Sequence, residues 1–587
     1  MEPYHDRIRE AVVQALSPSS RKALHARILA VIGWAGRGTA EELVFHSLGA
    51  GRTDDAARHA QVAGAEALQV MAFAKAARFF EQALELGHWD AEPQRELQED
   101  LARALGFAGR SRDAAARYLE AAEEAPADHR RRLRLCAAEQ FLWGGYVDRA
   151  KEVLGEALRE VGMRIPRTGL GAVARFLALR ILLRFRGLGF TERAAEVLPP
   201  REIATVDVFL SAGTGIGMAD PLVGSLFQVR ALLGALRLGE PFRVARCLCV
   251  EATYRAAFGG TGYRRAEDLL ARAGGIFERL NSDPGRVLHS LGTGMSMFQQ
   301  GRWRECLDAT TRGREIGISR CTGMTFELNT TEFFRCHAMA WLGRLAEARR
   351  GFDALVADAR ERGDRHTVAH IVGAAMIPPP LLDDDVERAR ADLEEARASL
   401  PRGERDLLAA YTFRGLAIAS LYAGDVPRAA RWSERLSALL RSPVVGGVKI
   451  IRIYAADIRA GVALLRASKD VHAVPGARRP VRREARYLRS FGLAWPDTIA
   501  AFLDAQLAAL DGDPVASAEA CRIAETRCEA IGMKIHALAA RCCRLSLSAP
   551  QSDEVAAAYG ALRACGVAAP QRLVAMLAPA IVTEPTP

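Results

Sequence analysis

Apolar residues recur at helical spacing from the first turns of the chain. In "YHDRIREAVVQALSPSSRKALHARI", Tyr4 to Ile28, two amphipathic stretches follow one another, and Ile8, Val12 and Leu16 fall four apart on one face. Ser17 before Pro18 reads as an N-cap followed by the first helical position. Thr39 with Glu42 three later reads as a capping box that starts another helix.

The clearest repeat is "LARALGFAGRSRDAAARYLEAAEEAP". Leu101, Ala102 and Leu105 share one helix face, Gly109 reverses the chain, Ala114, Tyr118 and Ala121 line a second helix, and Pro126 stops it. In spacing and residue type this is similar to the tetratricopeptide pattern: small residues where two helices touch, a large one beyond, Gly at the reversal. The pattern recurs after Gly145 (Ala150, Leu154, Ala157), Gly301 (Cys306, Thr310, Gly313) and Gly343 (Ala348, Phe352, Leu355). It returns after Gly424 (Ala429, Ser433, Leu436) and Gly512 (Ser517, Cys521, Ala524). A helix pair of this kind has an apolar face it cannot bury alone, so neighbours must stack. The expectation is an all-α fold, a tetratricopeptide-like α-solenoid of antiparallel helix pairs in two or three segments. Two stretches interrupt the regularity, residues 162–203 and "DVHAVPGARRPVRREARYLRS", where Pro475, Gly476 and Pro480 predict a loop.

Composition supports helix. Half of the 587 residues are apolar and only 7% aromatic, in an Ala-, Leu- and Arg-rich profile. A net charge of +10 is small over this length, so a nucleic-acid partner is not expected from basicity. Eleven cysteines without a C-x-x-C pair, set among Ala and Leu, read as small hydrophobes in a reducing cytoplasm. No stretch of about 18 apolar residues lacks charge. "AVARFLALRILLRFRGLGF" comes nearest, but Arg175, Arg180, Arg184 and Arg186 interrupt it, which suits a packed or interfacial helix.

Catalytic signatures are missing. The sequence has no G-x-x-x-x-G-K-[ST], no H-R-D, D-F-G or V-A-I-K, and no G-x-S-x-G. No catalytic, cofactor-binding or metal-ligating residue is therefore assigned. "GTGIGM", Gly213 to Met218, reads as a flexible inter-helix loop. "HTVAH" puts His366 and His370 one turn apart, but Thr367 stands where a zinc protease needs Glu. Asp383 to Asp385 read as an N-cap and first-turn acids. Arg478, Arg479, Arg482, Arg483, Arg486 and Arg489 form a basic run that reads by default as a solvated face beside a loop, its sharper reading being the docking of an acidic partner or nucleic acid.

The opening string His5 to Ala11, Leu24-His25 and the turn from His46 to Gly51 resemble a junction in large signal-transduction ATPases, where a winged helix hands over to tetratricopeptide-like repeats. "DPLVGSLFQVRALLGALRLGEPFRVARCLCVEA", "CTGMTFELNTTEFF" and "DARERGDRHT" look like the helical tail of multidomain bacterial serine/threonine protein kinases, common in myxobacteria, that fuse a kinase domain with an AAA-type ATPase. The expected organisation begins with a winged-helix and ATPase-linker remnant over residues 1–38, as the resemblance implies, then repeats over 39–160 and a linker with an Arg-rich amphipathic helix over 161–203. It continues as a second repeat segment over 204–470, a basic linker over 471–490 and C-terminal repeats and tail over 491–587. The expected function is that of a non-catalytic, cytoplasmic regulatory scaffold binding protein partners, a kinase or ATPase module among them. Two alternatives stay open: the separated tail of a serine/threonine kinase, and a fragment of an ATPase-related transcriptional regulator.

Overall fold

The computed structural model describes residues 16–35, 38–144, 146–160, 169–260, 262–361, 364–400 and 406–582. Ile8 and Val12 of the opening stretch, and the turn at Gly145, lie outside them. The described residues form an all-α helical-repeat fold, from the helix Pro18–Ala35 to the helix Pro570–Leu577, with no strand among them. They fall into two compact units, residues 1–141 with 149–157, and residues 142–148 with 158–587.

In the first unit the helices from Pro18–Ala35 to Ser111–Glu123 pack each on the next along the chain. Ser17 accepts a hydrogen bond from the Ser20 amide at the start of Pro18–Ala35 (3.1 Å). Thr39 and Glu42 close a reciprocal capping box on Ala40–Gly49, so two orphan amides are satisfied at once. The core is built largely of alanine: Ala60, Ala63, Ala76, Ala77 and Ala83 are buried around Phe79, Phe80, Leu97 and Leu101. Small side chains let backbones approach, and the phenylalanines fill what is left.

The repeat turns share one geometry. Gly109, Gly301, Gly343, Gly424 and Gly512 all have φ between 66° and 81°, the left-handed region. At each, the glycine amide and the next amide bond back into the helix just ended, as in Arg110 N to Leu105 O and Arg302 N to Met297 O (2.9 and 3.0 Å). The inward positions after them are buried: Ala114, Cys306, Thr310, Ala348, Phe352, Ala429, Leu436, Ser517 and Cys521. Further turns of the same kind carry Gly51, Met71, Asn281 and Gly532.

The second unit opens on a close helix pair, Pro200–Ala219 and Pro221–Leu238. Gly213 to Met218, expected as a loop, lie inside the first of these helices. The glycines are there because the helices nearly touch. A Cβ on Gly213 would come 3.0 Å from the Gln228 amide nitrogen, and one on Gly217 would overlap the Tyr254 hydroxyl. That hydroxyl donates to the Gly213 carbonyl (2.6 Å). Pro221–Leu238 is the one described helix long and apolar enough to cross a membrane, and most of it is buried as a core helix of this unit.

Sequentially stacked hairpins follow, but here the stack also closes on itself. Trp303 stacks on Trp341 (4.8 Å between ring centroids), and Trp495, far along the chain, sets its edge against both (6.0 and 5.9 Å). Arg572 near the end reaches Asp384 (3.0 Å), and the Ala568 amide donates to the Leu382 carbonyl (2.8 Å). Asp385 caps the helix Val386–Ala398 through the Arg388 amide, as its position in the acidic triplet predicts.

Residues 474–480, expected as a loop, start the helix Val474–Arg489 with Pro480 inside it. Pro480 forgoes one backbone bond, and the buried Ala477, Val481, Ala485 and Leu488 hold the helix against its neighbours regardless.

Candidate functional site

The surface of the second unit carries two features suited to a partner. The first is the helix Gly169–Arg186. Ala172 and Leu183 face inward, and Arg180 pairs with the buried Glu251. The other side is apolar and open: Leu177, Ile181 and Leu182 are more than half exposed and Phe185 is 85% exposed. Positions 177, 181 and 185 are one turn apart, so they form a single stripe. Arg175 and Arg184 stand exposed beside it. The helix, expected to be packed or interfacial, is thus packed along one edge and bare along the other.

The second is the arginine run on Val474–Arg489. Arg478 and Arg482 pair with Asp511 (2.6 and 3.1 Å), Arg483 with Glu484 (2.8 Å), and Arg489 with Asp504 and Asp497. Arg479 and Arg486 are exposed and make no ion pair with a described residue. They are seven residues apart, two turns along one face. Much of the run's charge is therefore spent on neighbouring helices, a division the sequence alone does not show.

Burial keeps some of the titratable groups of this unit neutral. Burial holds the His337 imidazole well below its usual range, with His370 and Arg414 adding to the effect. His370 is packed between Phe333 and Tyr411 (ring centroids at 4.7 and 5.4 Å); the His366 side chain is outside the described residues. No group of three or more His, Cys, Asp or Glu among the described residues is placed to hold a metal ion. The cysteines are free, and burial pushes thiols such as Cys249 and Cys528 up to about 12, so they pack as apolar groups.

No protein-family model matches the chain, and no curated protein matches it in sequence. Among solved structures it is similar to a chain in the APC/C hetero-tetramer Cut9–Hcn1, at 13% identity over 89% of this chain and 94% of that one, with a TM-score of 0.37. It is also similar to a chain of Naa15/Naa10 bound to HypK-THB, at 13% identity over 95% and 94%, with a TM-score of 0.22. These scores are low, and the fold assignment rests on the helix packing described above.

Proposed function

We propose that this protein is a cytoplasmic helical-repeat scaffold that binds a protein partner through the bare apolar stripe of Gly169–Arg186. The observation that carries the reading is Phe185, 85% exposed in line with Ile181 and Leu177. A contiguous apolar stripe on a soluble helix costs hydration free energy unless a partner covers it. The flanking Arg175 and Arg184 favour an amphipathic partner segment with acidic borders. Arg479 and Arg486 offer a second contact for an acidic partner. The resemblance of the sequence blocks to kinase and ATPase tails supports a regulatory role toward such a module.

A photocrosslinking residue placed at Phe185 in the full chain tests the stripe, with Val515, 78% exposed on another helix, as control. A discrete adduct at 185, carrying an acidic amphipathic segment and lost with Arg184→Glu, is expected. Equal labelling at 185 and 515, or none at 185, rules the surface out.

A further inference from the structure

Inside the second unit, side chains from helices far apart in sequence surround a chamber of about 80 Å³. Much of its wall is apolar, with Met376, Ile418 and Leu503 among the residues that line it. Arg414, Asp457, Gln506 and His536 also line it. A chamber of this size has room for several waters, each of which needs about 10–15 Å³ of such space, or for one small molecule.

The polar groups around the chamber are incompletely paired. Gln506 is 1% exposed; its amide nitrogen donates to the Leu577 carbonyl (3.1 Å), while its Oε1 has no partner among the described residues. The Trp341 indole N–H and the His536 Nδ1 are likewise buried and unpartnered. An orphaned buried group costs about 1–3 kcal/mol and native interiors keep few of them. Three of the residues that line this chamber carry such a group. Both faces of the Trp341 ring are already covered, by Trp303 and by His536, so an occupant meets its edge.

Charge sets the class of occupant. The buried Arg414 guanidinium donates to the Ala375 and Met376 carbonyls (2.7 and 3.1 Å) and lies 4.1 Å from the Tyr454 ring centroid. Asp457 is the opposite charge in the same chamber, and burial pushes its carboxyl up to about 6. A charged guest would leave this pair unbalanced in a poorly solvated space.

We propose that the chamber is a binding site for a small uncharged molecule carrying both an N–H donor, for Gln506 Oε1, and a carbonyl acceptor, for the Trp341 indole N–H: a cyclic amide. This goes beyond the scaffold reading and does not depend on it, because the stripe on Gly169–Arg186 is not part of the chamber. Met576 and Leu577, from the last described helix, form part of the wall, so the guest also fastens the end of the unit onto it.

The probe is 2-pyrrolidone, with cyclopentanone, which has the carbonyl but no N–H, as its control. Titration of the full chain followed by tryptophan fluorescence and thermal shift should saturate with 2-pyrrolidone and be at least tenfold weaker with cyclopentanone. Gln506→Leu should erase that preference. Gly461→Met fills the chamber from a wall position where an added Cβ meets Leu421 at an ordinary 3.5 Å, so it should fold and lose both responses even if Gln506→Leu does not fold. The proposal falls if neither probe saturates, if both bind equally, if Gly461→Met still responds, or if a high-resolution structure with 2-pyrrolidone shows only ordered waters.

Discussion

The two units use the same helix-turn-helix grammar and end in different kinds of object. In the first, helices touch the next helix along the chain, through alanines and two phenylalanines. In the second, Trp303, Trp341 and Trp495 tie helices that are distant in sequence into one core, and the last described helix packs back onto it. A linear stack gains stability one interface at a time, whereas long-range closure makes its parts stand or fall together. The difference lies in a handful of large side chains at turns and inner faces, of which Trp341 also lines the chamber.

Removing a large buried ring from each unit should break the comparison most visibly. Trp495 and Phe80 are both fully buried, so either change to alanine should cost about 3–5 kcal/mol. The reach of the damage should differ. Hydrogen exchange in Trp495→Ala should rise together in Asp283–Gln300, Trp303–Arg320, Thr325–Trp341 and Ala494–Leu510. In Phe80→Ala it should stay within Thr53–Gln69, Phe73–Leu86 and Ala91–Phe107. Equal spread in both variants would mean the closure adds no cooperativity.

A smaller effect separates closed turns from open ones. Gly301 and Gly512 share φ +77, but a Cβ on Gly301 would overlap the Trp495 indole, while one on Gly512 meets nothing within 4 Å. Gly512→Ala should therefore lose about 1–2 kcal/mol in urea unfolding, the left-handed penalty alone. Gly301→Ala should lose about 1–3 kcal/mol more, the cost of moving a packed ring. If the two lose equally, Trp495 is not held tightly over the turn.

How much of this was legible in the sequence follows from which residues physics makes obligatory. Gly109, Gly301, Gly343, Gly424 and Gly512 stand at left-handed turns, and their residue type announces it. The capping box at Thr39 and Glu42 and the cap at Asp385 were readable for the same reason, since each works within a few residues. Gly213 to Met218 misled because a glycine cluster signals both a loop and a close helix crossing, and only the partner helix with Gln228 and Tyr254 decides between them. Pro475 and Pro480 misled because burial elsewhere on their helix outweighs one missing bond. Most of the ion pairing of the arginine run and the chamber around Gln506 were out of reach, since the partners of Arg478, Arg482 and Arg489 and the chamber walls come from elsewhere in the chain and from no fixed spacing.

The turn at Met71 carries the smallest effect and the sharpest check on the repeat rule. It repeats the geometry of Gly51, with φ +58 at Met71 and +69 at Gly51, and the Ala72 amide bonds to the Ala67 carbonyl (2.8 Å) as the Arg52 amide does to Ser47 (2.9 Å). Met71 is 56% exposed, so its side chain gains little by burial, while its Cβ is crowded in the left-handed region. Met71→Gly relieves that crowding and loosens the unfolded chain, two opposing contributions of which the first is larger. The expected outcome is a gain of about 0.5–1 kcal/mol confined to the first unit's unfolding transition. A loss would show that Met71 contributes packing that outweighs its strained backbone, and that the repeat turn does not demand glycine where the stack is open.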